Sequence, residues 1–404
     1  MTVTRPEWTE ARALAHAEAL GRPRATERVP LAEAAFRTVA TELRSPGRVP
    51  GFDASAMDGW AVSGEGPWAV GAPIVAGAAV DVPPLAAGAA RPVTTGAAVP
   101  PGTDRVLRSE SGRVDGGVLA ENGPASGRPD HAGSDRGPAV PSPRHIRRAG
   151  EEAERDDLLF AAGTVLTPPR VAVAAVCGLD EVPVVVPPRV ALAVLGDEIV
   201  GSGVPLPGTV RDVFSVQVPD VLRRLGAVPV SSERVPDELA RTVAALDRPD
   251  TALVVTTGGT AHGSTDHVRA ALGRLGADLV IDRVALRPGQ PLLVARRGET
   301  LYLCLPGNPM AALVGLVLVG TPLIDGLLGR ATGTPAPVTL AVDVEHPRPG
   351  SLVQAYRMTS DGAVPMPRQS SAMLRGLADA DGLLVVPEGG SRAGDSVASL
   401  ALPW

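Results

Sequence analysis

The residues best suited to chemistry in this chain sit in short loops that follow apolar runs. The longest is Leu253-Val-Val-Thr-Thr-Gly-Gly-Thr-Ala-His-Gly-Ser-Thr-Asp266. Its first half is a β-branched run that reads as a buried parallel strand, and its second half is a glycine-rich turn entering the helical pattern His267 to Leu275. Gly258, Gly259 and Gly263 leave backbone N–H groups free to approach a ligand, and a helix start after Ser264 sets a partial positive charge behind them. The expected guest is an anion, a phosphate above all, although the same glycines also suit a plain βα turn. A plain turn does not call for Asp266. A carboxylate beside a phosphate is repulsive unless a metal bridges it or it contacts a hydroxyl, and its other reading is a partner for the helix dipole.

The elements that must hold this loop follow Pro187-Pro188, where strand and helix patterns begin to alternate. Strands are expected at 190–195, 228–233, 252–256, 279–284 and 301–305, and helices at 213–225, 237–246, 266–275 and 309–328, the first kinked by Pro219. This is a doubly wound parallel sheet, whose ligands bind outside the carboxyl ends of the strands. That rule brings together Gly196-Asp-Glu198, Thr256 to Asp266, and Pro306-Gly-Asn-Pro309.

Before the sheet, residues 8–20 read as an Ala-rich helix closed by Gly21, and 31–43 as a second helix. Pro50-Gly-Phe-Asp-Ala-Ser-Ala-Met-Asp-Gly-Trp60 carries the acids Asp53 and Asp58, and residues 61–120 read as a small β domain containing the hydroxyl-bearing loop around Thr95. Residues 121–143 are rich in Gly, Pro, Ser and Asp, as in an exposed connection, and the last seventy-odd residues return to β patterns.

At 404 residues the chain predicts about two to four domains. Its net charge of −6 and its lack of basic clusters with interleaved aromatics argue against a nucleic-acid binder. All 38 basic residues are Arg, which points to a biased genome and weakens any argument from a single Lys-to-Arg change. Cys177 and Cys304 have no metal or redox spacing, and the N-terminus has no apolar signal region, so a cytoplasmic protein is expected. The apolar run 310–328 is interrupted by Pro322 and Asp325 and reads as a core or dimer helix, not a membrane span.

Ser55-Ala-Met-Asp-Gly59, Thr95-Gly-Ala97, Arg148-Ala-Gly150, Gly196-Asp-Glu198, Gly258-Gly259 with Gly263 and Asp266, Arg287-Pro-Gly-Gln-Pro291 and Leu305-Pro-Gly-Asn-Pro309 follow one another in the order seen in MoeA-type molybdopterin molybdenumtransferases. The chain also resembles the gephyrin E domain, and the likeness runs from about residue 8 to 400. The resemblance implies a multidomain α/β fold: a central three-layer α/β/α doubly wound sheet domain (MogA-like), two β domains and an N-terminal helical segment. The expected divisions are 1–45 with 144–187, 46–143, 188–329 for the molybdopterin-binding domain, and 330–404. It further implies an elongated homodimer that inserts molybdate into adenylylated molybdopterin with release of AMP. On that similarity Asp58, Thr95, Asp197, Glu198 and Asp266 are catalytic, with Asp58 and Thr95 closing the site from the partner subunit. Gly258, Gly259, Gly263, Ser264, Arg287, Gly289, Gln290, Pro306, Gly307 and Asn308 bind the pterin and its phosphates. Gathering carboxylates around anions requires a cation, so Mg²⁺ on Asp197, Glu198 and Asp266 is expected, unless one carboxylate stays protonated and acts as an acid.

Several positions depart from the family's usual pattern. Val194-Leu195 stands where a small hydroxyl pair is usual, Ala261 where a Ser is, and Gln290 where a Lys is. Ser264 stands where an acid is common, Pro236 with adjacent Asp237 replaces a loop acid, and Val213-Phe214 follows Asp212 in place of an Asn. These changes keep a second function open: a non-catalytic molybdopterin-binding paralogue acting as a carrier or partner of a molybdoenzyme.

Overall fold

A seven-stranded sheet forms the centre of the molecule. Its order is Val3–Thr4, Asp278–Asp282, Leu293–Arg297, Thr300–Leu305, Leu253–Thr257, Arg189–Leu195 and Val228–Val235. These features come from a computed structural model, which describes residues 2–77, 82–122, 145–260 and 267–404. The strands Leu253–Thr257 and Thr300–Leu305 are buried along their whole length, which is why they are nearly all apolar: both faces are covered. Alternation along Arg189–Leu195 divides the core. Val190, Leu192 and Val194 pack with Phe214, Leu222 and Met310, whereas Ala191, Ala193 and Leu195 pack with Leu246, Val268 and Leu272. Helices therefore cover both faces of the sheet, giving three layers.

The sheet is mixed. Leu293–Arg297 runs antiparallel to both Asp278–Asp282 and Thr300–Leu305, and it lies outside the strands expected from the sequence. The positive φ of Gly298 forms the hairpin between the two apolar runs. The first two-residue strand, Val3–Thr4, extends the sheet beyond Asp278–Asp282. The helix Trp8–Leu20 then buries Ala11, Ala15 and Ala19 in the same core as the sheet.

The helix expected over 31–43 does not form. Only a 3₁₀ turn, Leu31–Glu33, is present. Thr38 and Val39 instead bridge Val165 and Val184, the Val39 amide donates to the Thr164 carbonyl, and Leu43–Arg44 pairs with Leu158–Phe160. These tertiary pairings supply hydrogen bonds that outweigh local helix propensity in a segment with β-branched residues at 38, 39 and 41.

The long apolar helix runs from Pro309 to Leu327 with a π-helical segment at Leu316–Gly320. It is long and apolar enough to cross a membrane, but 89% of its most apolar window is buried inside the protein. A six-stranded sheet carries the β domain, from Gly59–Val62 to Val118–Glu121. The C-terminal sheet has Ser351–Thr359, Gly382–Val386 and Ser396–Leu400 at its centre, with Leu286–Arg287 at one edge and Ala336–Thr339 at the other.

Candidate functional site

Three parallel strands of the large sheet end at one cleft of about 590 Å³. After Arg189–Leu195 the chain turns at Gly196, after Leu253–Thr257 at Gly258 and Gly259, and after Thr300–Leu305 through Pro306, Gly307 and Asn308. These turns touch backbone to backbone. A Cβ on Gly258 would lie 2.7 Å from the Leu195 carbonyl oxygen, and one on Gly307 would lie 3.4 Å from the Gly258 Cα. With φ at +89° as well, position 258 requires glycine both for its conformation and for the space.

Glu198, Gly258, Gly259, Pro306, Gly307 and Asn308 all line the cleft. A Cβ on Gly196 would meet the Glu198 carboxylate, so the glycine makes room for that side chain to fold back over the turn. Asp197 is held differently. Its Oδ1 accepts the Asp237 amide at 3.2 Å, and its own amide donates to Asp237 Oδ2 at 3.4 Å. This exchange ties two loops together and leaves Asp237 lining the cleft. The Asp237 carbonyl is bonded in turn to His267 Nε2, at 3.1 Å.

The remaining expected residues are distributed. Asp58 and Thr95 meet in the β domain, where the Thr95 amide and hydroxyl donate to Asp58 Oδ1 at 2.7 and 2.9 Å. The amide first, and the hydroxyl after it, hold the exposed Asp58 carboxyl below the usual carboxylate range. Neither residue lines the cleft of the same chain. Arg287 pairs with Leu352 at the edge of the C-terminal sheet, Gly289 packs beside Leu286 and Ala311, and the Gln290 carbonyl accepts the Val284 amide. From that turn it is Pro291 that reaches the cleft. Gly263, Ser264 and Asp266, with Ala261 and His262, lie outside the described residues.

The cleft also contains residues without an expected role. Asp212 is buried and caps the helix Phe214–Leu225, its Oδ1 accepting the Phe214 and Ser215 amides at 3.0 and 2.9 Å. An acid placed two residues before an amphipathic run is a signal the sequence does carry. Arg211 reaches the cleft from a two-stranded ribbon, Ile199–Val200 with Val210–Arg211. Ala372 enters from the C-terminal domain, and its neighbour Ser371 presents a carbonyl to the amides of Met310 and Ala311, at 2.9 and 3.2 Å. The first free N–H groups of the Pro309 helix are thereby occupied, and no local pattern announces that contact.

Among the described residues no three His, Cys, Asp or Glu stand together as a ready-made metal cage. The cleft presents Glu198 and Asp237, with Asp197 beside them, which are hard oxygen donors. That set suits a cation that takes one or two carboxylates and fills its remaining positions with water and phosphate oxygens, as Mg²⁺ does.

The family model for the MoeA N-terminal region (domain I and II) matches residues 7–178, that for a probable molybdopterin binding domain matches 191–326, and that for the MoeA C-terminal region (domain IV) matches 336–402. A molybdopterin molybdenumtransferase from Synechococcus elongatus is 33% identical over 391 residues, covering 92% of this chain and 93% of that protein. The chain belongs to the molybdopterin molybdenumtransferase family. Another member, from Bacillus subtilis, is 32% identical over 92% of this chain and 88% of its own length. The crystal structure of a molybdopterin biosynthesis moeA protein from Pyrococcus horikoshii shares the fold, with a TM-score of 0.80 at 21% identity over 98% of this chain and 100% of that one. Apart from Ala372, the lining of the cleft therefore lies in the segment of this molybdenumtransferase family member matched by the molybdopterin-binding model.

Proposed function

We propose that this protein inserts molybdate into molybdopterin during molybdenum cofactor biosynthesis, acting on adenylylated molybdopterin and releasing AMP. The observation that carries the reading is the cleft where Glu198, Gly258, Gly259 and Asn308 meet, within a chain that matches molybdenumtransferases over nearly its whole length. Its glycine turns bring backbone close to a ligand, and Glu198 and Asp237 would hold Mg²⁺ with Asp197 beside them. Bound there, Mg²⁺ would neutralise phosphate charge and polarise the phosphoanhydride. The chain's own part is to orient the anion, exclude water with Phe214 and Pro291, and offer Glu198 as a proton acceptor or donor.

The proposed domains are 1–45 with 144–187, 46–143, 188–329 and 330–404. The proposed assembly is a homodimer in which Asp58 and Thr95 complete the partner's cleft, because they stand away from the cleft of their own chain. A cytoplasmic setting is supported by Cys177 and Cys304, both buried and free.

The test is to supply purified protein with adenylylated molybdopterin, Mg²⁺ and molybdate and to follow AMP. Release that requires both ions is expected, and Glu198→Gln should slow it about a hundredfold or more while leaving thermal unfolding unchanged. Tight binding without AMP release would overturn the enzymatic reading in favour of a carrier.

A further inference from the structure

Arg211 is the only Arg or His side chain, among the described residues, that lines the cleft, and the chain contains no Lys. It is exposed, and among the described residues its guanidinium makes one long hydrogen bond, from Nη1 to the Val200 carbonyl at 3.3 Å, and no ion pair to a carboxylate. The adjacent acid does not claim it, since Asp212 Oδ1 is committed to the helix amides of Phe214 and Ser215. The ribbon fixes where the arginine stands: the Val210 amide donates to the Glu198 carbonyl at 2.8 Å, and the Asp212 amide to the Val200 carbonyl at 2.9 Å. Arg211, at the end of one ribbon strand, and Glu198, in the turn that leads into the other, thus rim the same opening.

Among the described residues no second cationic side chain lines the cleft, so the remaining positive potential comes from the backbone N–H groups of its turns. Ser371 occupies the amides of Met310 and Ala311, Arg287 belongs to the C-terminal sheet edge, and residue 290 is an uncharged Gln. Glu198, Asp212 and Asp237 meanwhile give the cleft a surplus of carboxylates. Among the described residues, Arg211 is the one cationic side chain that a tetrahedral oxyanion entering it meets, and no ion pair there holds its guanidinium.

We infer that Arg211 is the oxyanion-binding residue of this cleft, its forked N–H groups taking two oxygens of a tetrahedral anion. The inference rests on the molybdenumtransferase reading, and the anion has two possible sources there: the phosphate of the nucleotide-linked substrate, or molybdate. Titration calorimetry of the full-length protein with AMP and, separately, with molybdate distinguishes them. Arg211→Gln should weaken at least one of the two by about ten- to a hundredfold, the affected ligand identifying the source, and Arg211→Lys should recover part of the loss because charge is kept and the fork is not. The salt dependence of that ligand's affinity should fall in the Gln variant, a change that a merely structural role would not produce. If Arg211→Gln binds both ligands as the parent does while the parent releases AMP, the inference fails and the enzymatic reading stands. If the parent binds neither ligand and releases no AMP, both fall.

Discussion

Asp58 shows how much one side chain's state depends on its immediate donors. Its carboxylate is exposed, yet the amide and hydroxyl of Thr95 hold its pKa below the ordinary range. A folded-state pKa lowered in this way makes the ionised form the stabilising one. The contribution is complete above the unfolded carboxylate pKa and is lost as pH falls through the lower folded value. Thr95→Val removes the hydroxyl and keeps the amide, so the Asp58 pKa should rise part of the way to the ordinary value, as read by NMR titration of the carboxyl carbon. An unchanged pKa would contradict the assigned cause. Asp53 is also lowered, but against a burial effect that pushes it up. The Ala149 amide and the Arg148 guanidinium outweigh that effect.

The long apolar helix depends on a buried arginine from another element. Its π-helical segment, Leu316–Gly320, departs from regular i→i−4 pairing, and Arg12 of the N-terminal helix donates Nη1 to the Leu318 carbonyl at 3.1 Å and Nη2 to the Gly333 carbonyl at 2.9 Å. Burial lowers the Arg12 pKa from its usual value, partly opposed by Asp325. Arg330 continues the connection, from Nε to the Thr38 hydroxyl at 2.7 Å and from Nη1 to the Leu225 carbonyl at 3.0 Å, while its own carbonyl is bonded to His16 Nε2 at 2.7 Å. Arg12→Met fills similar space without donors and removes both hydrogen bonds from buried or part-buried carbonyls. Denaturant unfolding should show a loss of about 3 kcal/mol or more, and a change under about 0.5 kcal/mol would show that the contact is incidental.

On the scale of the whole molecule, the acids assigned to one reaction stand in two places: Glu198 and Asp237 at the cleft, Asp58 in the β domain. The proposed homodimer, with sites shared across subunits, would resolve this separation. Subunits carrying Asp58→Asn and subunits carrying Glu198→Gln, each inactive as pure dimers, should regain about a quarter of parental AMP release when co-expressed, because a mixed dimer restores one intact site. No recovery in purified mixed dimers would place both residues at the same subunit's site.

Periodicity and turn chemistry determined much of this architecture directly. The alternation in Val190–Leu195, the apolar run Leu253–Thr257 and the Ala-rich helix Trp8–Leu20 were legible because a buried face imposes its spacing on the residues that cover it. Gly258 was legible as a close approach, and the structure adds the reason: a Cβ there would meet the Leu195 carbonyl oxygen at 2.7 Å, with φ at +89°. Long-range pairing decided the rest. Residues 38–44 form bridges instead of a helix because their partners lie more than a hundred positions away, and Leu293–Arg297 joins the sheet through a hairpin at Gly298 whose turn signal is a single residue. At the cleft, the acids and glycines could be read from local motifs, whereas the isolation of Arg211 and the Ser371 cap could not. A side chain's charge is written in the sequence, but whether that charge is already paired depends on which distant segments fold against it.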